Sequence, residues 1–94
     1  MRKSTHTTLY DAFRARLVAM RKASGMTQRQ LARKVARERS FIGRIELGER
    51  RLDIVEFFWI CEACKQDPVK VATALMKEFR HLETDGRRKA AIKQ

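Results

Sequence analysis

The sequence predicts an all-α domain of five short helices, on three observations. Apolar residues recur at three- and four-residue spacing in successive segments. Those segments are separated by helix caps and glycine stops. One proline, four glycines and few runs of alternating polarity leave little material for strands. With 94 residues, 44% of them apolar, the chain suffices for one core and is too short for two.

Residues 1–8 have nothing to bury and read as a flexible basic arm. The domain proper is expected over residues 9–83. Leu9, Phe13, Leu17 and Met20 mark a first helix from about Leu9 to Ala23, stopped by Gly25. Thr27 opens the second helix, with Gln30 three places on completing a capping box, and its end is expected near Val35 or Ala36. The third helix is predicted over about Glu38–Leu47, stopped by Gly48, before a basic loop at 49–52. Asp53 with Glu56 caps a fourth helix to about Lys65. Asp67-Pro68 starts a fifth, to roughly Leu82. Residues 84–94 read as a frayed tail.

The net charge of +11 is unevenly spread. Residues 1–51 carry fourteen Lys/Arg against four Asp/Glu, whereas residues 52–94 carry eight against seven. An even spread would indicate only a solvated exterior. Concentration in one half instead indicates a surface facing a polyanion.

That half contains residues 27–48, TQRQLARKVARERSFIGRIELG, which read as two helices joined at a sharp corner. Leu31, Ala32 and Val35 share one face, and Ile42 and Ile45 another. Burying those faces turns Arg39, Ser40, Gly43 and Arg44 outward, as side chains entering a DNA groove must be. Arg39 and Arg44 suit guanine, whose O6 and N7 accept two coplanar hydrogen bonds from a guanidinium. Gly43 either lets that helix approach a base closely or makes room for a neighbouring helix; the sequence leaves both open. Arg29, Arg33, Lys34 and Arg37 are placed to meet phosphates, which adds affinity without sequence information.

On these residues the chain resembles the phage-repressor-like helix-turn-helix proteins, the lambda repressor/Cro-like or XRE type. The resemblance rests on Gly25-Met26-Thr27-Gln28, Leu31-Ala32, Ile42, Arg44-Ile45-Glu46, Gly48-Glu49-Arg50 and Asp67-Pro68, and covers about residues 12–75. It implies a compact five-helix lambda-repressor-like domain that sets its third helix in the major groove with the second across the backbone. By position it implies base contacts from Arg39, Ser40 and Arg44, and phosphate contacts from Thr27, Gln28, Arg50 and Arg51. It also implies a partly buried ion pair between Arg21 and Glu46; without it these are two unrelated surface charges. Three departures stand out. Ala36 occupies the corner where the family usually has glycine, and Arg37 follows where an apolar residue is usual. Glu38 replaces the usual Ser or Thr cap, where its carboxylate repels phosphate but can accept from a cytosine amino group.

The fourth helix is apolar around most of its circumference, from Ile54 to Cys64. A surface helix of a monomer shows one apolar stripe. Val55, Phe58 and Cys61 are expected in the core. Phe57 and Trp59 are expected to anchor a homodimer interface; the alternative is a helix buried within its own domain.

Cys61-x-x-Cys64 lacks the further ligands of a zinc site, since His6 and His81 have no matching spacing. It also lacks the βαβ context of a redox site. Core packing is expected, with no metal and no cofactor. No carboxylate pair, nucleophile constellation or phosphate-cradling glycine loop appears, so an enzyme is not expected. No apolar run reaches membrane-span length and no signal peptide is visible, which points to a cytoplasmic protein with reduced cysteines.

The resulting expectation is a sequence-specific transcriptional regulator that binds double-stranded DNA. It would read a pseudo-palindromic operator as a homodimer through the helix at 38–47, most simply as a repressor. The alternative is an antitoxin or accessory module whose apolar fourth helix holds a different protein, with autoregulatory DNA binding. A third reading is charge-driven, non-specific nucleic-acid binding.

Overall fold

The structure, a computed structural model, describes the backbone of residues 7–93 and the side chains of residues 7–85. The described residues form α1 (Thr8–Ala23), α2 (Gln28–Lys34), α3 (Phe41–Glu46), α4 (Ile54–Ala63) and α5 (Pro68–Lys93), with no strand among them. Residues 1–6, most of the expected basic arm, and Gln94 lie outside the described residues. No described helix is long and apolar enough to cross a membrane.

The predicted starts are present in atomic detail. Thr27 and Gln30 form the reciprocal capping box of α2, with Gln30 N donating to Thr27 Oγ1 (3.1 Å) and Thr27 N to Gln30 Oε1 (2.8 Å). Asp53 and Glu56 do the same for α4. Asp67 accepts from Val69 N at the start of α5. The first helix begins one residue earlier than expected, because Thr7 caps it by accepting from Tyr10 N.

The first four helices end the same way. After each C-cap residue the chain turns left-handed, at Gly25, Ala36, Gly48 and Lys65 with φ of 75°, 58°, 79° and 58°. At each, two N–H groups reach back to orphan carbonyls of the last turn, as Arg37 N to Ala32 O and Ala36 N to Arg33 O do at the corner. This is the Schellman stop. Gly25 and Gly48 are legible from sequence; Ala36 and Lys65 adopt the same conformation against their Cβ atoms.

Two boundaries differ from the sequence reading. The third helix runs from Phe41 to Glu46, shorter than the expected 38–47, because Glu38 accepts from Phe41 N in a tighter turn that precedes it. The fifth helix runs through Lys93, although the segment from 84 was expected to fray. Gly86 is the weakest helix former in that stretch, Ala-, Lys- and Arg-rich beyond it, and a single glycine does not end a helix without a capping arrangement.

α1 packs on α5 and α3, α2 on α3 and α4, and α4 on α5. The core between them is Leu17, Met20, Leu31, Ala32, Phe41, Ile42, Ile45, Leu52, Phe57, Ile60, Cys61, Cys64, Val71 and Leu75. Tyr10 ties the loop after α3 to α1, its hydroxyl accepting from Leu52 N at 2.7 Å.

The orientation of α4 corrects the sequence reading. Phe57 is 5% exposed and belongs to the core, its ring tilted against that of Phe13 at 5.6 Å between ring centroids. Phe58 and Val55, expected inside, are 48% and 51% exposed. Cys61 is buried as expected, and Trp59 faces outward at 45%. With apolar residues on every side, the helix's own periodicity does not say which stripe the other helices cover. Packing settled it on 57, 60, 61 and 64.

Candidate nucleic-acid interface

The site begins with the hydrophobic anchoring of α3. Phe41, Ile42 and Ile45 are buried almost completely against the core. On the other side Arg39, Ser40 and Arg44 are all exposed. Arg39 and Ser40 lie in the turn that leads into α3, and Arg44 in its last turn. Neither arginine side chain makes an ion pair or hydrogen bond with another described residue. Ser40 makes no cap hydrogen bond, which leaves its hydroxyl available to a ligand. On α2, the side chains of Arg29, Arg33 and Lys34 are exposed and likewise unpaired among the described residues. Arg51 is exposed in the loop after α3.

A Cβ on Gly43 would come within 3.1 Å of Oε1 at the end of the exposed Gln28 side chain.

Behind the reading face, one ion pair joins three helices. Arg21, in the last turn of α1, donates from Nε to Glu46 Oε2 at 2.7 Å and from Nη2 to Oε1 at 3.1 Å. Gln28, the first residue of α2, donates from Nε2 to Glu46 Oε1 at 2.8 Å. Glu46 is the last residue of α3, and both charged side chains are about nine-tenths buried. The hydrogen bond to Glu46 raises the pKa of Arg21 further above its usual value. Gln28, expected at a phosphate, is exposed at the start of α2 with its side-chain amide on Glu46. Arg14 supports the same helix end, donating to Glu46 O at 3.0 Å. Its guanidinium lies where a Cβ on Gly48 would sit at 3.3 Å, so Gly48 serves both the left-handed turn and this contact.

A second cluster was not anticipated. Glu56, only 5% exposed, accepts from Arg37 Nη1 at 2.9 Å and from Arg50 Nη1 and Nη2 at 3.0 Å each. Both guanidinium groups also lie over the Phe41 ring, at 4.3 and 4.8 Å from its centroid. Pairing with Arg50 holds the Glu56 carboxyl below its ordinary range, against the opposing effect of burial. The same contact raises Arg50. Arg37 and Arg50, expected at phosphates, therefore face an internal carboxylate. The capping role of Glu56 was legible, but its arginine partners were not: Arg37 is nineteen residues away, and Arg50 reaches it from the loop before α4. Glu38 is exposed, 3.8 Å from Arg37 Nε.

The cysteines are both buried and unpaired. Burial pushes the Cys61 thiol up to about 11, and it raises Cys64 despite the opposing hydrogen bond with Ser24 and charge of Arg21. Both are thus protonated and poor nucleophiles near neutral pH. Among the described residues no group of three or more His, Cys, Asp or Glu side chains is arranged to hold a metal ion. His6 lies outside them, and His81 is 3.5 Å from Asp85 on α5.

A family model described as a helix-turn-helix domain matches residues 12–74. Among solved structures, the chain is 36% identical to an XRE-family like protein from Pseudomonas syringae pv. tomato. That likeness has a TM-score of 0.71 and covers 78% of this chain and 91% of that one. It is 30% identical to a point mutant of the restriction-modification controller protein C.Esp1396I, with a TM-score of 0.68 and coverage of 78% and 92%. It is 31% identical to the restriction-modification controller protein C.AhdI from Aeromonas hydrophila, with a TM-score of 0.59 and coverage of 67% and 94%. No curated protein matches the sequence.

Proposed function

The chain belongs to the XRE-type helix-turn-helix family of DNA-binding transcriptional regulators, and from that premise we propose that it is a sequence-specific repressor acting as a homodimer on a pseudo-palindromic operator. The observation that carries this reading is the exposed set Arg39, Ser40 and Arg44, unpartnered and backed by the buried Phe41, Ile42 and Ile45. Arg39 and Arg44 supply bidentate donors to guanine edges, and Ser40 a hydroxyl to either base or phosphate. Thr27, Arg29 and Arg51 contact the flanking phosphates and fix register. Arg37 and Arg50 are left out of that set. Glu38, beside this face, accepts from a cytosine amino group or discourages non-cognate contact.

A dimer suits this task because two recognition helices about 34 Å apart meet successive major-groove faces on one side of B-DNA. The apolar surface of α4 and α5, with Ile54, Val55, Phe58, Trp59, Val69 and Met76 exposed, supports that assembly. The likeness to two restriction-modification controller proteins favours regulation over charge-driven coating of DNA, and the relatives point to regulators rather than enzymes. Repression follows by occlusion of a promoter.

Selection of bound fragments from random duplex DNA tests this reading. The expected result is an enriched palindrome, and Arg44→Ala should relax preference at one base pair per half-site by about 1–3 kcal/mol. Failure to enrich any sequence would reduce the protein to a non-specific binder. Equal losses for Arg44→Ala on every single-base operator variant would remove Arg44 from base readout.

A further inference from the structure

Glu56 lies on α4, away from the reading face, yet it touches the segments on both sides of the recognition helix. Arg37 immediately follows the left-handed corner residue Ala36, before α3. Arg50 lies in the loop after α3, two residues beyond Gly48. One carboxylate accepts from both guanidinium groups, and both also lie over Phe41, the first residue of α3. Arg37 and Arg50 retain about 30% and 28% side-chain exposure, whereas the carboxylate retains about 6%. The cations thus sit near the DNA-facing half of the molecule and are drawn inward.

We propose that Glu56 is a positioning residue for DNA specificity: it withholds Arg37 and Arg50 from phosphate contact and fixes α3 at both ends. The inference rests on the DNA-binding reading above. Its physical basis is that every arginine on a phosphate raises affinity for all sequences alike. An internal carboxylate that engages two such arginines lowers indiscriminate binding while leaving Arg39 and Arg44 free. It also holds their backbone in one orientation relative to α4. The departure from family pattern at Arg37 then has a use, since an apolar residue there supplies no second donor to Glu56.

The salt dependence of binding to a mixed-sequence duplex reads the number of phosphates engaged and is insensitive to a general loss of stability. Each engaged phosphate contributes about 0.9 to the slope of log affinity against log salt. Arg37→Met and Arg50→Met, each in the otherwise natural chain, should leave that slope unchanged. Glu56→Gln keeps an acceptor for the capping box but removes the charge, and should steepen the slope by about 0.9 for each arginine released. Adding Arg37→Met to Glu56→Gln should return about 0.9 of it. Arg29→Met is the contrast, flattening the slope in any background.

A flatter slope for Arg37→Met or Arg50→Met alone means that the arginine already rests on a phosphate, and overturns the proposal. So does an unchanged slope for Glu56→Gln in a protein whose circular dichroism shows it folded. If Glu56→Gln does not fold, the two single arginine variants decide the matter. Absence of any salt-dependent binding by the natural chain defeats the DNA-binding reading itself, a result distinct from these.

Discussion

Glu46→Ala removes the acceptor that three helices share. The carboxylate holds Arg21 through two hydrogen bonds of 2.7 and 3.1 Å and Gln28 through one of 2.8 Å. With side-chain exposures of 12% for Arg21 and 10% for Glu46, solvent screens this pair weakly. Truncation leaves the Arg21 guanidinium in place with one remaining partner, Met26 O at 3.0 Å. Breaking a buried pair from one side costs about 3–5 kcal/mol, a large part of the roughly 5–15 kcal/mol that stabilises a small domain. At about 4 °C or more per kcal/mol for a chain of this size, thermal unfolding should fall by at least about 12 °C. The double substitution Arg21→Met with Glu46→Leu should be less destabilised than the two single changes added together, because no unpaired charge stays buried. Thermal and urea melts followed by far-ultraviolet circular dichroism measure both quantities. A Glu46→Ala melt within about 2 °C of the natural chain, or strict additivity in the cycle, would refute the argument.

Three further outcomes follow from the same structure. If α4 and α5 form the dimer interface, Trp59→Ala should weaken dimerisation by about 2 kcal/mol, roughly thirtyfold, in sedimentation equilibrium. A natural chain that stays monomeric at micromolar concentration, with and without operator DNA, would assign that apolar surface to another occupant. The folded-state pKa of Glu56 lies below its unfolded value of about 4.5. On acidification the unfolded chain therefore takes up this proton first. The Glu56 contribution is present above about pH 4.5 and lost as pH falls towards the folded pKa, so Glu56→Gln should flatten the acid limb of stability against pH. A parallel acid limb would count against that linkage. Lys65 holds a left-handed φ of 58° that glycine adopts freely, so Lys65→Gly should raise stability by about 0.5–1 kcal/mol in urea melts. A loss would show that the Lys65 side chain does more than occupy the turn.

What local chemistry decides was legible in the chain. Thr27 with Gln30 and Asp53 with Glu56 placed two helix starts, because a capping box needs only residues three apart. Gly25 and Gly48 placed two stops, because glycine takes the left-handed turn without steric cost. The Arg21–Glu46 pair was legible only through resemblance, since twenty-five residues separate the partners. The outward face of α3 was legible because Ile42 and Ile45 leave no other way to turn it. Lys65 concealed its turn, since nothing local marks a strained lysine, and the corner at Ala36 was placed with the help of the resemblance.

The amino-acid order alone settled the number of helices, most of their ends, the basic half of the molecule and the face that carries Arg39 and Arg44. Each depends on residues within a turn or two of one another. The tertiary structure alone decided that Phe57 lies inside and Phe58 outside, that Gly43 lies beside Gln28, and that Arg37 and Arg50 meet on Glu56. Those outcomes depend on which helix lies against which, and a helix apolar on all sides or an arginine with a long side chain fits several neighbours until packing selects one.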